Sequence, residues 1–249
     1  MRKAARVVFL APIVLTAAAL AEDSPPPPTP TPLWSGKGEL SFISTSGNSD
    51  TQTLGAAAEV AYKPGGGGRW SFLFRSAFVR SEADDVENAR SFLATIRAAR
   101  SISPRLEAFA RGEYLQNTFA GIDGRISGEA GGAYAIFPNP PNKLKGEIGL
   151  GYTRENRVVG EDLSFPSARA GLLYEWQISK RAVYTEELSF IQNLEESEDW
   201  DIVNTGSLTA EISTVVALKL SFAILYSNQP VPGFEKKDTT TSAAIVAKF

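Results

Sequence analysis

The chain has 249 residues, with 25 Lys and Arg against 28 Asp and Glu, no Cys, no His and a single Met. Without Cys, an exported protein cannot rest on disulfides and must be stable through hydrogen bonding and burial. Without His, Ser-His-Asp hydrolysis and His-containing zinc or iron sites are excluded. We therefore predict no enzyme activity, no catalytic or metal site and no cofactor. The absence of a basic block also argues against nucleic-acid binding.

The N-terminus has the regions of a secretory signal peptide. Arg2, Lys3 and Arg6 form a basic region, Val7 to Leu20 form an apolar run, and Ala-Leu-Ala at 19–21 supplies a small-x-small cleavage pattern. The apolar run is short for a membrane-spanning helix. We predict that residues 1–21 are removed on export. Residues 22–32, rich in proline, are predicted to form an extended spacer that cannot pair in a sheet.

From residue 33 onward, segments of about ten to thirteen residues alternate apolar and polar side chains between turn-forming residues. In the third segment, Trp70, Phe72 and Phe74 oppose Ser71 and Arg75. Twelve such segments follow one another through residues 33–249. The exceptions are Glu186, which falls on the apolar face, and five bulky residues that fall on the polar face: Phe109, Leu115, Leu163, Phe165 and Leu173.

Alternation also describes a soluble β-sandwich or a lipocalin, whose apolar face turns inward. The aromatic residues discriminate, because every Tyr and Trp lies on the apolar face near a predicted strand end. Such rings are typical of the two interfaces of a bilayer. The predicted interface girdle consists of Trp34, Tyr62, Trp70, Tyr114, Tyr134, Tyr152, Tyr174, Trp176, Tyr184, Trp200, Tyr226 and Phe249.

The predicted connections alternate in length, as short periplasmic turns and longer external loops do in outer-membrane barrels. The first connection, Ser46–Asp50, is short for an external loop and is the exception. The longer ones are predicted at Ser81–Asn88, Asn117–Gly124, Arg154–Asp162, Gln192–Asp199 and Asn228–Lys236. In hydrocarbon every backbone amide must be paired within the protein, so a spanning sheet must close on itself. We predict an all-β fold: an up-and-down antiparallel transmembrane β-barrel of twelve strands, with both termini on the periplasmic side.

Two stretches resemble a known family. Trp34-x-Gly36-x-Gly38 is followed by Thr-Ser-Gly-Asn-Ser at 45–49, and residues 114–125 end in Ile-Asp-Gly-Arg before a glycine-rich strand. Together they resemble the family of salt-induced outer membrane proteins, a domain of unknown function. The resemblance implies a bacterial outer-membrane barrel in contact with lipid and lipopolysaccharide, and it implies no particular activity. Asn117 stands where an Asp is expected, which disfavours a metal site in that loop.

Phe249 ends an alternating segment. A terminal Phe on the last strand is similar to the signal that barrel-assembly machinery recognises, so we expect that machinery to be a partner. The sequence does not determine the oligomeric state.

The polar face is predicted to line the lumen. Its main candidates are Arg75, Arg97, Glu107, Arg111, Glu113, Arg125, Glu129, Lys145, Glu147, Arg169 and Glu175. The five arginines could form an anion-attracting strip, but pairing of each with a nearby Glu is favoured. A filled interior and a narrow water-filled channel both remain open. The prediction is a narrow passive channel for small polar solutes or ions, with a structural, non-conducting barrel linked to salt or osmotic stress as the alternative.

Overall fold

The computed structural model describes residues 33–46, 51–65, 69–83 and 86–249. The predicted signal peptide, residues 1–21, and the predicted spacer, residues 22–32, lie outside these ranges. Among the described residues, no helix has the length and apolarity that crossing a membrane requires.

The described residues form twelve antiparallel strands that close into a single barrel, which confirms the predicted fold class. Each strand pairs with its neighbours in the chain, and β1 pairs with β12. The strands are β1 (Trp34–Ser46), β2 (Thr51–Tyr62), β3 (Trp70–Ala83), β4 (Val86–Ser101), β5 (Leu106–Asn117), β6 (Ile122–Phe137), β7 (Asn142–Arg157), β8 (Leu163–Ser179), β9 (Ala182–Asn193), β10 (Trp200–Glu211), β11 (Val216–Ser227) and β12 (Lys237–Lys248). One short 3₁₀ helix, Thr118–Ala120, lies between β5 and β6.

The barrel closes where the last residue meets the first strand. Phe249 and Gly36 exchange two backbone hydrogen bonds of 2.9 and 3.0 Å. The Phe249 ring covers Gly36, and a Cβ at that position would lie 2.3 Å from the ring. Glycine at position 36 therefore leaves room for the terminal ring in this orientation. The ring itself faces outward and is 81% exposed.

We call the end of the barrel where β1 begins and β12 ends the terminal rim, and the opposite end the loop rim. Five connections lie at the terminal rim, and they contain two to seven residues. The shortest joins β8, which ends at Ser179, to β9, which begins at Ala182, and the longest joins β2, which ends at Tyr62, to β3, which begins at Trp70. The predicted loop at Ser81–Asn88 is wrong, because Glu82 pairs with Glu87 and Ala83 with Val86. Polar residues can continue the β3–β4 hairpin, because strand pairing depends on backbone hydrogen bonds and does not require apolar side chains.

The alternating pattern separates two faces. Outward-facing apolar side chains are widely exposed, as for Leu40 at 72% and Ile148 at 71%. The protein core is the lumen, where Ala99, Phe109 and Ala133 form a buried cluster. This arrangement is the reverse of a soluble barrel, and it is the arrangement of a barrel whose outer wall faces lipid.

Candidate functional site: the charged lumen

Most of the predicted lumen residues line one cavity of about 430 Å³ that opens toward the loop rim. They are Arg75, Arg97, Arg111, Glu113, Arg125, Glu129, Lys145, Glu147 and Arg169. Two predicted residues do not line it. Glu107 lies beside it and accepts a 2.6 Å hydrogen bond from Arg97, and Glu175 lies at the terminal rim, where it pairs with Lys143 at 2.6 Å.

One ion pair crosses the lumen from wall to wall. Arg75 lies on β3 and Glu187 on β9, and these strands are diametrically opposite in the ring of twelve. Arg75 Nη1 lies 3.3 Å from Glu187 Oε2, while Arg75 Nε donates a 2.8 Å hydrogen bond to Glu59 on the neighbouring β2. Because β3 and β9 face each other, the Arg75–Glu187 pair narrows the lumen at mid-height. Both side chains are more than one third exposed, so water reaches the bridge.

The crossing pair continues into a chain of charges that runs from β9 round the lumen to β5. Arg169 contacts Glu187 at 3.6 Å and Glu129 at 3.0 Å, and Arg111 contacts Glu129 at 3.7 Å as well as Glu113. Acidic and basic groups alternate along this chain, so each charge has opposite neighbours. All five arginines considered for an anion strip contact carboxylates, as pairing would require: Arg75, Arg97, Arg111, Arg125 and Arg169.

Nearer the terminal rim, Arg97 forms ion pairs with two carboxylates and a cation–π contact with an aromatic ring. Its guanidinium contacts Glu107 at 2.6 Å and Glu147 at 2.9 Å and lies 4.7 Å from the centre of the Phe109 ring. Lys145 joins the same two carboxylates at 3.7 and 3.2 Å. Phe109, an exception to the sequence pattern, is thus buried inside the barrel as a cation–π partner.

A third group of charges lies near the loop rim, and Arg125 is its one member in the predicted lumen set. Glu155 is 1% exposed and accepts hydrogen bonds from Arg125 Nε at 2.5 Å and Arg157 Nε at 2.6 Å. Arg125 also donates to Asp201 on β10 at 3.1 Å. The sequence reasoning placed Glu155 and Arg157 in an external loop, whereas β7 continues to Arg157. Glu155 and Arg157 are each separated from Glu147 by an even number of positions on the same strand, which places all three on the lumen face. This rule could have identified both residues from the sequence.

The loop between β11 and β12, residues 228–236, covers part of the loop-side mouth; we call it the cover loop. Its Val231 is 3% exposed and, with Gln229 and Pro230, lines the cavity. The cover loop meets the β5–β6 connection across the barrel, since a Cβ at Gly121 would lie 2.6 Å from the Phe234 ring and 2.9 Å from Val231. Gly121 has φ of +75°, a conformation that also favours glycine.

The β9–β10 loop adds one titratable group at the mouth. Asp199 lines the cavity and accepts a 2.8 Å hydrogen bond from Asn193. Partial burial raises the pKa of the Asp199 carboxyl above its usual value. In the described ranges, no group of three or more candidate ligands is arranged to hold a metal ion.

The aromatic residues named from the sequence lie near the ends of their strands. Trp34, Tyr62, Trp70, Tyr134, Tyr174, Trp176, Tyr184 and Phe249 lie toward the terminal rim, and Tyr114, Tyr152, Trp200 and Tyr226 toward the loop rim. Some of them stack in pairs, with ring centres 4.2 Å apart for Trp34 and Tyr62 and 5.4 Å apart for Trp200 and Tyr226. Their role at a membrane interface stays a prediction.

A closed antiparallel barrel with an apolar exterior and a charged lumen has a porin-like fold. The chain belongs to the family described as a protein of unknown function, DUF481, whose profile matches residues 38–249. In fold it is similar to the NanC porin, with a TM-score of 0.58 at 8% identity over 85% of this chain and 100% of that one. It is also similar to the translocator domain of the autotransporter NalP from Neisseria meningitidis, with a TM-score of 0.51 at 12% identity over 88% and 89% of the two chains. Comparison with curated protein sequences gives no match.

Proposed function

We propose that this protein is a bacterial outer-membrane channel that passes ions or small polar solutes through a narrow lumen. The observation that carries the proposal is the Arg75–Glu187 pair, which spans the lumen at 3.3 Å and whose two side chains are each more than one third exposed. Exposed ion pairs contribute little free energy, so this one can open without disturbing the fold. The cavity of about 430 Å³ above it would be the vestibule, with the cover loop at its mouth.

The proposal includes a cellular route. A signal peptide at residues 1–21 would direct export, the strand that ends at Phe249 would engage the barrel-assembly machinery, and both termini would face the periplasm. The apolar outer wall and the NanC-like fold support this location. Outer-membrane lipid and lipopolysaccharide would then surround the wall. The proposal assigns the protein no enzyme activity.

A second candidate function is a non-conducting barrel that supports the envelope under salt or osmotic stress, as the resemblance implied. It is favoured by the continuous chain of ion pairs from Glu59 through Arg75, Glu187 and Arg169 to Glu129. If these pairs stay closed, the lumen is filled and the charges stabilise the wall instead of selecting solutes.

Single-channel recording of the refolded protein separates the two. We expect discrete openings, and we expect Arg75→Ser to raise the conductance by about twofold, since it removes one side of the crossing pair from a narrow pore. Arg100→Ser is the matched control, because Arg100 lies 5.6 Å from the Trp70 ring, outside the lumen. A folded barrel that stays silent in both the wild type and Arg75→Ser would contradict the channel.

A further inference from the structure

Glu186 is a carboxylate on the outer wall of the barrel. Its neighbours on β9, Leu188 and Phe190, are exposed apolar residues of the same face. The carboxylate accepts hydrogen bonds from the Tyr184 hydroxyl and from Asn204 Nδ2 on β10. A Cβ at Gly206 would lie 2.7 Å from Glu186 Oε2, so glycine there leaves room for the carboxylate.

The donors that hold Glu186 are neutral. Within the described ranges, its hydrogen bonds come from a phenol and an amide, and it forms no ion pair with Lys or Arg. The lumen carboxylates differ, because Glu59, Glu129 and Glu155 each contact a basic side chain. A carboxylate on a wall that faces lipid is costly and marks a functional site by default. Glu186 therefore has no cationic partner among the described residues. Because it lies on the outer wall, a cation that pairs with it would approach from outside the barrel.

The level of Glu186 on the wall indicates where this cation comes from. Glu186 lies four residues beyond the start of β9, about 10 Å above the terminal rim for a strand tilted by ~40°. In register it pairs with Tyr174, and Tyr184 pairs with Trp176. The carboxylate thus lies beside three rings of the predicted girdle, which in the proposed membrane location would be at the level of lipid headgroups. Aromatic faces beside a carboxylate are the chemistry that binds an ammonium group.

We propose that Glu186, with Tyr174, Trp176 and Tyr184, forms a binding site for the primary ammonium headgroup of a phospholipid. The site rests on the membrane location proposed above. A primary ammonium brings N–H donors for the free lone pairs of the carboxylate and the charge that its present donors lack. A second copy of this chain fits less well, because a two-fold contact at this point would bring two Glu186 carboxylates together.

Native mass spectrometry of the refolded protein tests the site. Phosphatidylethanolamine, phosphatidylcholine and phosphatidylglycerol are each added to the protein in detergent, and the bound lipid is counted. We expect phosphatidylethanolamine to bind most tightly, and Glu186→Gln to weaken it by about tenfold, the loss expected for one charge-assisted hydrogen bond. Glu175→Gln is the matched control, because it removes a carboxylate near the same rim but on the lumen face.

Either of two results in the Glu186→Gln variant would overturn the inference: unchanged phosphatidylethanolamine binding, or the loss of a dimer that the wild type forms. Folding is checked separately by the shift in gel mobility on boiling and by insertion into vesicles. A wild-type protein that does not insert would contradict the proposed function itself. An inserted barrel without a preference for phosphatidylethanolamine would contradict only the headgroup site.

Discussion

The two ends of the lumen carry the same kinds of charged group in opposite surroundings. At the loop end, Glu155 is 1% exposed and is shared by Arg125 and Arg157. At the terminal end, Lys143 and Glu175 form one pair at 2.6 Å whose side chains are 44% and 39% exposed. The distances are alike, so the difference between the two ends is access to water.

Access to water determines how much each group of charges contributes to the stability of the barrel. A buried carboxylate shared by two guanidinium groups cannot be removed without leaving cations in a poorly solvated place. An exposed pair loses little, because water replaces the missing partner. We infer that the loop end is the rigid part of the lumen. The terminal end and the water-exposed Arg75–Glu187 pair are the parts that can rearrange.

The largest effect is expected for Glu155→Ala. The change leaves Arg157 without its carboxylate and Arg125 with Asp201 alone, so the free energy of unfolding should fall by about 3–5 kcal/mol. Urea unfolding of the vesicle-inserted barrel, followed by tryptophan fluorescence, measures this fall. A loss below about 1 kcal/mol would mean that water reaches the loop-end charges, and the contrast between the two ends would disappear.

An intermediate effect is expected where the cover loop meets Gly121. Gly121→Ala forces a left-handed residue to carry a Cβ, which costs about 1–2 kcal/mol, and it pushes that Cβ against Phe234 and Val231. Gly160→Ala is the matched control, since Gly160, in the β7–β8 loop, has φ of +93° but a Cβ there would make only an ordinary van der Waals contact of 3.5 Å with Pro232.

Both glycine variants should lose stability, but only Gly121→Ala should displace the cover loop. Limited proteolysis at residues 228–236 and single-channel conductance report that displacement. We expect faster cleavage and a larger conductance in Gly121→Ala alone. Equal behaviour of the two variants would show that the contact with Gly121 does not hold the loop in place.

The sequence predicted the strands and faces of the barrel wall better than the contacts between side chains inside the lumen. Strand number and the assignment of faces follow from a period of two, because a strand places successive side chains on opposite sides. The position of Arg97 inside the barrel followed from that rule. Its contact with Glu147, three strands away, did not, because curvature and tilt decide which side chains meet across a lumen. The Arg75–Glu187 pair, separated by 112 residues, was unpredictable for the same reason.

The ends of the strands were the second source of error. The polarity of residues 81–88 and 154–157 predicts loops, yet backbone pairing continues through Glu82–Glu87 and through Arg157. An apolar face is needed only where the wall meets lipid, so polarity marks the edge of the membrane rather than the end of a strand. This misreading removed Glu155 and Arg157 from the predicted lumen set.

The smallest effect is expected for Glu175→Ala, at the terminal end. Both partners of the Lys143–Glu175 pair are widely exposed, so its loss should lower the free energy of unfolding by less than about 1 kcal/mol. That loss should shrink further in concentrated salt, which screens exposed charges. The effect of Glu155→Ala should change little with salt, since buried pairs are screened much less.

Urea unfolding of both variants at low and high salt measures this contrast. If Glu175→Ala were as destabilising as Glu155→Ala, the terminal end would be as rigid as the loop end, and opening of the proposed channel would have to involve the Arg75–Glu187 pair alone.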